Sequence, residues 1–195
     1  MSLILNKDFW NYKYLTFKTG WDVGEITTPL KEYFDQLNNK NVKILIPGCG
    51  NSYEAEYLFK NKFLHTFILD YSDQALINFI NRVPDFSKKQ LLNDNFFDTK
   101  GEYDIIIEQT FFCAINKYRR RDYFIKMHEL LKPNGKLVGL LFDDPLNEDR
   151  PPFGGSKSEY KEYFDPYFNI KVLETAYNSI NSRNGRELFM ILIKK

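Results

Sequence analysis

The stretch Asn41–Glu54, NVKILIPGCGNSYE, constrains this chain more than any other. A β-rich apolar run from Val42 to Ile46, interrupted only by Lys43, meets a proline, two glycines one residue apart and a polar lead into a helical pattern. Such a run reads as a buried strand ending in a tight turn over a helix N-terminus. Glycine is needed there because a Cβ would collide with a ligand approaching the backbone. Free N–H groups and the positive end of the next helix then favour polar or anionic ligand groups. Tyr53 stands where a dinucleotide pattern has its third glycine, so the turn alone leaves the ligand open.

An acid narrows the choice. His65-Thr-Phe-Ile-Leu-Asp70 is a second apolar run, and Asp70 lies twenty residues beyond Gly50. An acid at that distance can accept hydrogen bonds from ribose hydroxyls. For Asp70 alone, a solvated turn cap is the plainer alternative. Turn and acid together point to a nucleoside-containing cofactor.

From Asn41 the chain alternates. Strands are expected at 42–46, 64–69, 89–92 and 103–108, the last centred on Ile105-Ile106-Ile107, and at 136–142. Helices are expected at 52–60, at 72–81 with Ser72 as N-cap, and at 118–131, ending at Lys132-Pro-Asn-Gly135. Alternation of this kind implies βαβ units and a parallel sheet covered on both faces. After a loop over 143–155 and a short helix over 156–164, the rhythm breaks. Ile170–Tyr177 and Glu187–Lys194 follow each other with no room for a crossover helix, so they should be antiparallel neighbours. The fold class expected is α/β and Rossmann-like: a mostly parallel seven-stranded sheet, an antiparallel C-terminal hairpin and helices on both faces. Five alternating units followed by a hairpin suit a class I methyltransferase better than a dehydrogenase.

Residues 1–23 stand outside this repeat as a cap on a single domain spanning 1–195. Trp10, Tyr12, Tyr14, Phe17 and Trp21 fall within twelve residues. In a helix, Trp10, Tyr14, Phe17 and Trp21 would share one face. That face either packs on the domain or forms a lid offering π-faces to an adenine or a cation. Pro29 is placed to start a helix through Leu37.

Composition excludes several partners. The 27 basic and 26 acidic side chains leave a formal charge of +1, so no field draws the chain to nucleic acid or an anionic membrane. Cys49 and Cys113 form no disulfide framework and have no metal-ligand spacing. No basic n-region with a long apolar stretch opens the sequence, and no run reaches membrane-spanning length. A cytoplasmic monomer is expected.

Several separate stretches resemble the thiopurine and thiol S-methyltransferases and the related plant halide and thiol methyltransferases. They are Phe9-Trp10-x3-Tyr14, Trp21-Asp22-x-Gly24 with Thr28-Pro29-Leu30, Leu45-Ile-Pro-Gly-Cys-Gly50 and Leu69-Asp70-Tyr-Ser72. Asn95-Phe-Phe97, Thr110-Phe-Phe-Cys-Ala114 and Pro151-Pro-Phe153 continue the series. The resemblance implies S-adenosylmethionine as cofactor, with S-adenosylhomocysteine as product, and a small-molecule methyl acceptor. It assigns Trp10, Tyr14 and Trp21 to closing over the cofactor and Gly48 and Gly50 to its methionine end. Asp70 with Tyr71 falls at the ribose, Asn95 and Phe96 at the adenine, and Gln109 at the end of the fourth strand. Arg150-Pro-Pro-Phe153, in the loop after the fifth strand where ligands bind in such sheets, reads either as shaping the acceptor site or as an ordinary rigid turn, and Asp22 and Phe112 are expected on the acceptor side with it. The chain departs from the family in having Asn95 where an acid is common, Glu108-Gln109-Thr110 for Asp-Tyr-Thr, and Asn51-Ser52 after the glycine turn.

Methyl transfer from a sulfonium is an in-line displacement, so alignment in a dry pocket is the main task. His65 and His128 are expected to be structural, and no Ser-His-Asp or metal constellation can be assembled. No dedicated catalytic base is expected, which favours a thiolate, hydrosulfide, halide or other soft anion as acceptor. Cys49 and Cys113 read as small buried hydrophobes, with Cys113 alternatively lining the pocket. Arg119-Arg120-Arg121 reads as a solvated helix face, with attraction of an anionic acceptor as the sharper alternative. Two other functions fit the glycine turn and Asp70: an NAD(P)-dependent oxidoreductase, and a cofactor-binding protein without turnover.

Overall fold

A computed structural model describes residues 4–195; the first three residues of the expected cap lie outside them. The strands are β1 (Ile44–Pro47), β2 (Thr66–Asp70), β3 (Leu91–Asn93), β4 (Tyr103–Gln109), β5 (Leu131–Phe142), β6 (Asp144–Leu146), β7 (Phe153–Gly155), β8 (Phe168–Thr175) and β9 (Glu187–Lys194). The helices are α1 (Lys7–Leu15), α2 (Thr28–Asp35), α3 (Tyr53–Lys60), α4 (Asp73–Arg82), α5 (Arg120–Leu130) and α6 (Lys157–Phe164). Seven strands form one sheet in the order β3-β2-β1-β4-β5-β9-β8. The first five run parallel, and β9 is antiparallel to both β5 and β8, as the missing crossover required.

Side-chain alternation explains why this sheet is covered twice. Successive residues of a strand face opposite sides. Leu45 and Ile106 pack with Phe124, Met127, Tyr160 and Phe164 of α5 and α6. Their neighbours Ile44, Ile46, Ile105 and Ile107 pack with Leu30, Phe34, Leu58 and Phe79 of α2, α3 and α4. The central strand β1 is apolar and buried along its whole length because both of its faces are covered. The chain runs outward from β1 to β3 and returns to place β4 on the other side of β1, so strand order reverses between β1 and β4. A crevice opens beyond the carboxyl ends of strands at such a switch point. The glycine turn after β1 and Thr110 after β4 both lie there.

Three expectations are corrected. The helix α1 stops at Leu15, so Trp10, Tyr14, Phe17 and Trp21 do not share a helical face. Phe17 takes a left-handed conformation (φ 54) and is 90% exposed. Trp21 returns along a loop to meet Trp10 and Tyr14 edge-on, at ring-centroid distances of 5.6 and 5.9 Å. The expected loop over 143–155 contains the β6–β7 ribbon, paired Asp144 to Gly155 and Leu146 to Phe153. Lys132-Pro-Asn-Gly135 ends α5 as expected, but strand pairing resumes at once, with Leu131 opposite Tyr103. The stop sequence thereby becomes an irregularity within β5, with Asn134 left-handed at φ 60.

Candidate functional site

The turn after β1 places Gly48 and Gly50 at φ +56 and +55, where a Cβ is strained. Its neighbour β2 ends in Asp70, whose carboxylate holds the turn. Gly50 N–H donates to Oδ2 and Ser72 N–H to Oδ1, each at 2.8 Å. The glycines are needed partly because the protein itself crowds them. A Cβ on Gly48 would lie 2.1 Å from a ring carbon of Phe111, and one on Gly50 would lie 2.6 Å from the Tyr14 hydroxyl. Burial pushes the Asp70 carboxyl up to about 6, against the pull of the Ser72 and Gly50 amides.

Around this turn lies a cavity of about 740 Å³, within the roughly 300–1,000 Å³ of small-molecule sites. Trp10, Tyr14 and Trp21 roof it, and Gly48, Gly50, Asp70 and Tyr71 line it at the ends of β1 and β2. Asn95 and Phe96 enter after β3, Gln109 ends β4, and Asp22 and Arg150 also line it. Residues as far apart in sequence as Trp10 and Arg150 thus share one space. Phe112 and Phe153 do not. Phe112 is 1% exposed and packs against Tyr123 and Phe124 in the core. Phe153 is buried within β7. The wall expected of Phe112 is supplied by its neighbours Phe111 and Cys113, because a 3-10 turn over Phe112–Ala114 sends adjacent side chains to different sides.

Local contacts recast other expected residues. Both Asp22 oxygens are engaged: Oδ1 accepts from Gly24 N–H at 2.8 Å, and Oδ2 accepts from the Asn51 amide. Asp22 therefore ties the roof loop to the glycine turn. The Asn95 side chain stabilises its own turn, accepting from Phe97 N–H at 3.2 Å and donating to Asp98 at 2.9 Å. The arginine run is not one solvated face. Arg120 is 1% exposed, paired with Glu159 at 2.7 Å and donating to the Gly154 carbonyl at 2.6 Å. Arg119 lays its guanidinium over the Phe97 ring at 3.5 Å, on the cavity rim. Burial pushes the Cys113 thiol up to about 12, so it lines the cavity as an inert neutral group. His65 is exposed before β2, and His128 packs on Tyr167 and Phe168.

Two acids carry more than the sequence revealed. Glu108, fully buried at the end of β4, accepts from the amides of Phe111 (2.8 Å) and Phe112 (2.9 Å) and from the Tyr123 hydroxyl. It thereby shapes the loop that presents Phe111. Glu54, on the first turn of α3, is buried and lines the cavity. Burial raises each carboxyl to about 7. Arg183, on the hairpin turn, donates to the Trp21 carbonyl at 2.7 Å from 162 residues away. Nothing in the local sequence announces that bond.

The raised acids set a pH dependence. Glu54, Glu108 and Asp70 bind a proton more tightly folded than unfolded, so the folded state holds extra protons between roughly pH 4.5 and 7. Stability should fall as pH rises through that window. Urea unfolding is expected to give a higher midpoint at about pH 5.5 than at about pH 8. Glu108→Gln should flatten that slope. A midpoint that rises toward pH 8 would contradict the assignment.

The residues suit a cofactor that joins a nucleoside to a cationic chain. The buried acid Asp70 lines the cavity together with the aromatic rings of Trp10, Tyr14 and Trp21, and with Glu54 and Asp22 beside the glycine turn. Among the described residues the buried Ser52 hydroxyl, also in the lining, finds no hydrogen-bond partner. Ser52 and Thr110 hold left-handed φ of 52 and 56 on the cavity wall, a strain characteristic of functional sites. Among the described residues no group of His, Cys, Asp and Glu could hold a metal.

The family model described as Thiopurine S-methyltransferase matches residues 5–190. The probable thiol methyltransferase 2 of Arabidopsis thaliana is 28% identical over 91% of this chain and 81% of its own length. The thiopurine S-methyltransferase of Bos taurus is 25% identical over 88% of this chain and 80% of its own. Among solved structures, the 1,6-didemethyltoxoflavin-N1-methyltransferase of Burkholderia thailandensis, with bound 1,6-didemethyltoxoflavin and S-adenosylhomocysteine, superposes with a TM-score of 0.79. At 12% identity, covering 97% of this chain and 87% of that one, it shows a shared fold.

Proposed function

The chain belongs to the thiopurine S-methyltransferase family, and from that premise we propose that this S-adenosylmethionine-dependent methyltransferase serves a small, soft, anionic acceptor: a thiolate, hydrosulfide or halide. One observation carries the reading. The acid that anchors the glycine turn, Asp70, shares a single cavity with the aromatic roof of Trp10, Tyr14 and Trp21.

The cofactor supplies a methyl group on a sulfonium, activated for displacement. The chain's part is to bind, orient and exclude water. Asp70, already fixed by two amides, offers its remaining lone pairs to ribose hydroxyls at no cost in reorganisation. Phe96 and Phe111, packed edge-on at 5.2 Å, present an apolar wall beside Asn95 on which a flat base would pack. Glu54 and Asp22 give the glycine-turn end a negative field suited to an ammonium group. Trp10, Tyr14 and Trp21, which line the cavity, would offer π-faces to the cofactor's sulfonium, where a cation is tolerated without a counter-ion.

As an anionic nucleophile attacks, charge on both partners is neutralised, so a dry cavity favours the transition state over the separated ions. Cys113, Ala114, Pro151 and Pro152 make the remaining wall largely apolar, with Arg150 at the exposed edge as the group to draw in an anion. Among the described residues the cavity lining contains no histidine. An acceptor that arrives ionised needs no proton relay.

Calorimetry with S-adenosylmethionine and S-adenosylhomocysteine should give micromolar binding of both, with none for NADH. Incubation with thiols, hydrosulfide and halides should then yield volatile or thioether methyl products by mass spectrometry. Turnover confined to nitrogen or oxygen acceptors would overturn the acceptor class, and NADH binding without S-adenosylhomocysteine binding would overturn the cofactor.

A further inference from the structure

The helix that roofs the cavity has little apolar surface to hold it down. In α1 only Tyr14 is buried, while Tyr12 and Leu15 are exposed. A helix this short does not support itself in water, so tertiary contacts must hold it. Its polar contacts converge on the N-terminus of α4. Asn11 Oδ1 accepts from the Ser72 hydroxyl at 2.7 Å and from Gln74 N–H at 3.2 Å. One turn earlier, Lys7 pairs with Asp73 at 2.7 Å and donates to Asn93 at 3.3 Å.

Ser72 is the junction of this network. Its N–H donates to Asp70, and its hydroxyl donates to Asn11 while accepting from Ala75 N–H at 3.2 Å. Gln74 N–H belongs to the first turn of α4, where donors lack an intrahelical acceptor. Asn11, from another helix, is the acceptor it finds. Docking of α1 and capping of α4 share Ser72, which stands two positions from Asp70.

We propose that Asn11 is a positioning residue: it latches the aromatic roof to the N-terminus of α4 and so fixes Trp10 and Tyr14 relative to Asp70. Asn11 itself does not line the cavity. Its consequence for affinity rests on the cofactor reading given above, but the latch exists without ligand. With the latch formed the cofactor meets a pre-ordered roof; without it, each binding event must also order α1.

The test compares Asn11→Leu, which removes the acceptor at similar volume, with Asn11→Asp, which keeps it. Asn11→Leu should weaken S-adenosylhomocysteine binding about tenfold or more by calorimetry, as expected for a lost pair of hydrogen bonds. Asn11→Asp should remain within roughly threefold of wild type; all three side chains branch alike at Cγ, so a purely volumetric role would not separate the two variants. In the unliganded proteins, the Gln74 amide should exchange faster in Asn11→Leu alone, followed by NMR. Equal exchange in all three proteins, or an aspartate variant as weak as the leucine variant, would overturn the latch. Should wild type bind no S-adenosylhomocysteine, the cofactor reading falls and the exchange rates alone decide the latch. Should Asn11→Leu lose its fold by circular dichroism, Ser72→Ala takes its place and must speed Gln74 exchange in the same way.

Discussion

Asp70→Ala is expected to lower the affinity for S-adenosylhomocysteine by roughly 10²–10⁴-fold while the sheet stays folded. Two charge-assisted hydrogen bonds to ribose hydroxyls, at about 1.5–3 kcal/mol each, account for that range. The substitution also leaves Gly50 N–H and Ser72 N–H without their acceptor, so the turn loses its shape as well as its partner. Stability should suffer less than binding. Burial already raises this carboxyl to about 6, so removing it relieves a desolvation cost that offsets part of the lost bonding. The same raised value predicts a pH limb. Wild-type affinity should weaken as pH falls through about 6, where Asp70 takes up a proton and loses acceptor capacity. Asp70→Asn should lack that limb. Calorimetry over about pH 5 to 8 on the three proteins measures both effects, and an unchanged affinity in Asp70→Ala would remove Asp70 from the site.

Gly48→Ala should be the most destabilising single methyl in the glycine turn. The residue is left-handed, which costs an alanine about 1 kcal/mol or slightly more. The new Cβ would also lie 2.1 Å from the Phe111 ring. That ring has little freedom to yield, because Phe96 and Tyr123 flank it at 5.2 and 5.9 Å and Glu108 holds its backbone N–H. Overpacking adds about 1–3 kcal/mol, so the total loss is roughly 2–4 kcal/mol, or about 5–15 °C in Tm for a domain of this size. Gly24→Ala is the control: it shares a positive φ of +79 but has nothing within 4 Å of its would-be Cβ. It should lose about 1 kcal/mol, the left-handed cost alone. Equal losses from the two alanines would show that the Phe111 contact is not what matters.

The glycine positions illustrate how far the sequence could be read. From the chain alone, glycine at 48 and 50 signalled close approach of a ligand. The folded chain adds approaches of its own, with Phe111 and Tyr14 crowding the same two positions. Asp70 was legible because its spacing from the turn reflects one strand–helix–strand unit, a length the fold imposes. Phe112 was misplaced because a resemblance aligns residues without saying which way a ring points. Phe111 reaches the cavity and Phe112 the core, although they are adjacent. Asn11 and Arg183 carried no signal at all, since a polar side chain on a short helix or a hairpin turn is ordinarily solvated.

Local chemistry set much of this protein. The periods of apolar residues, the turn residues and the missing final crossover determined five parallel strands, a closing hairpin and a glycine turn facing an acid. These features depend on neighbours within a few tens of residues, and the sequence displays such neighbours directly. Tertiary structure decided which side chains share the cavity and what holds the roof over it. Arg120 passes from an exposed-looking basic run into the core through Glu159, and Trp21 is held by Arg183 across most of the chain. Such contacts exist only once the sheet has brought distant segments together, because hydrogen bonding and burial depend on separation in space.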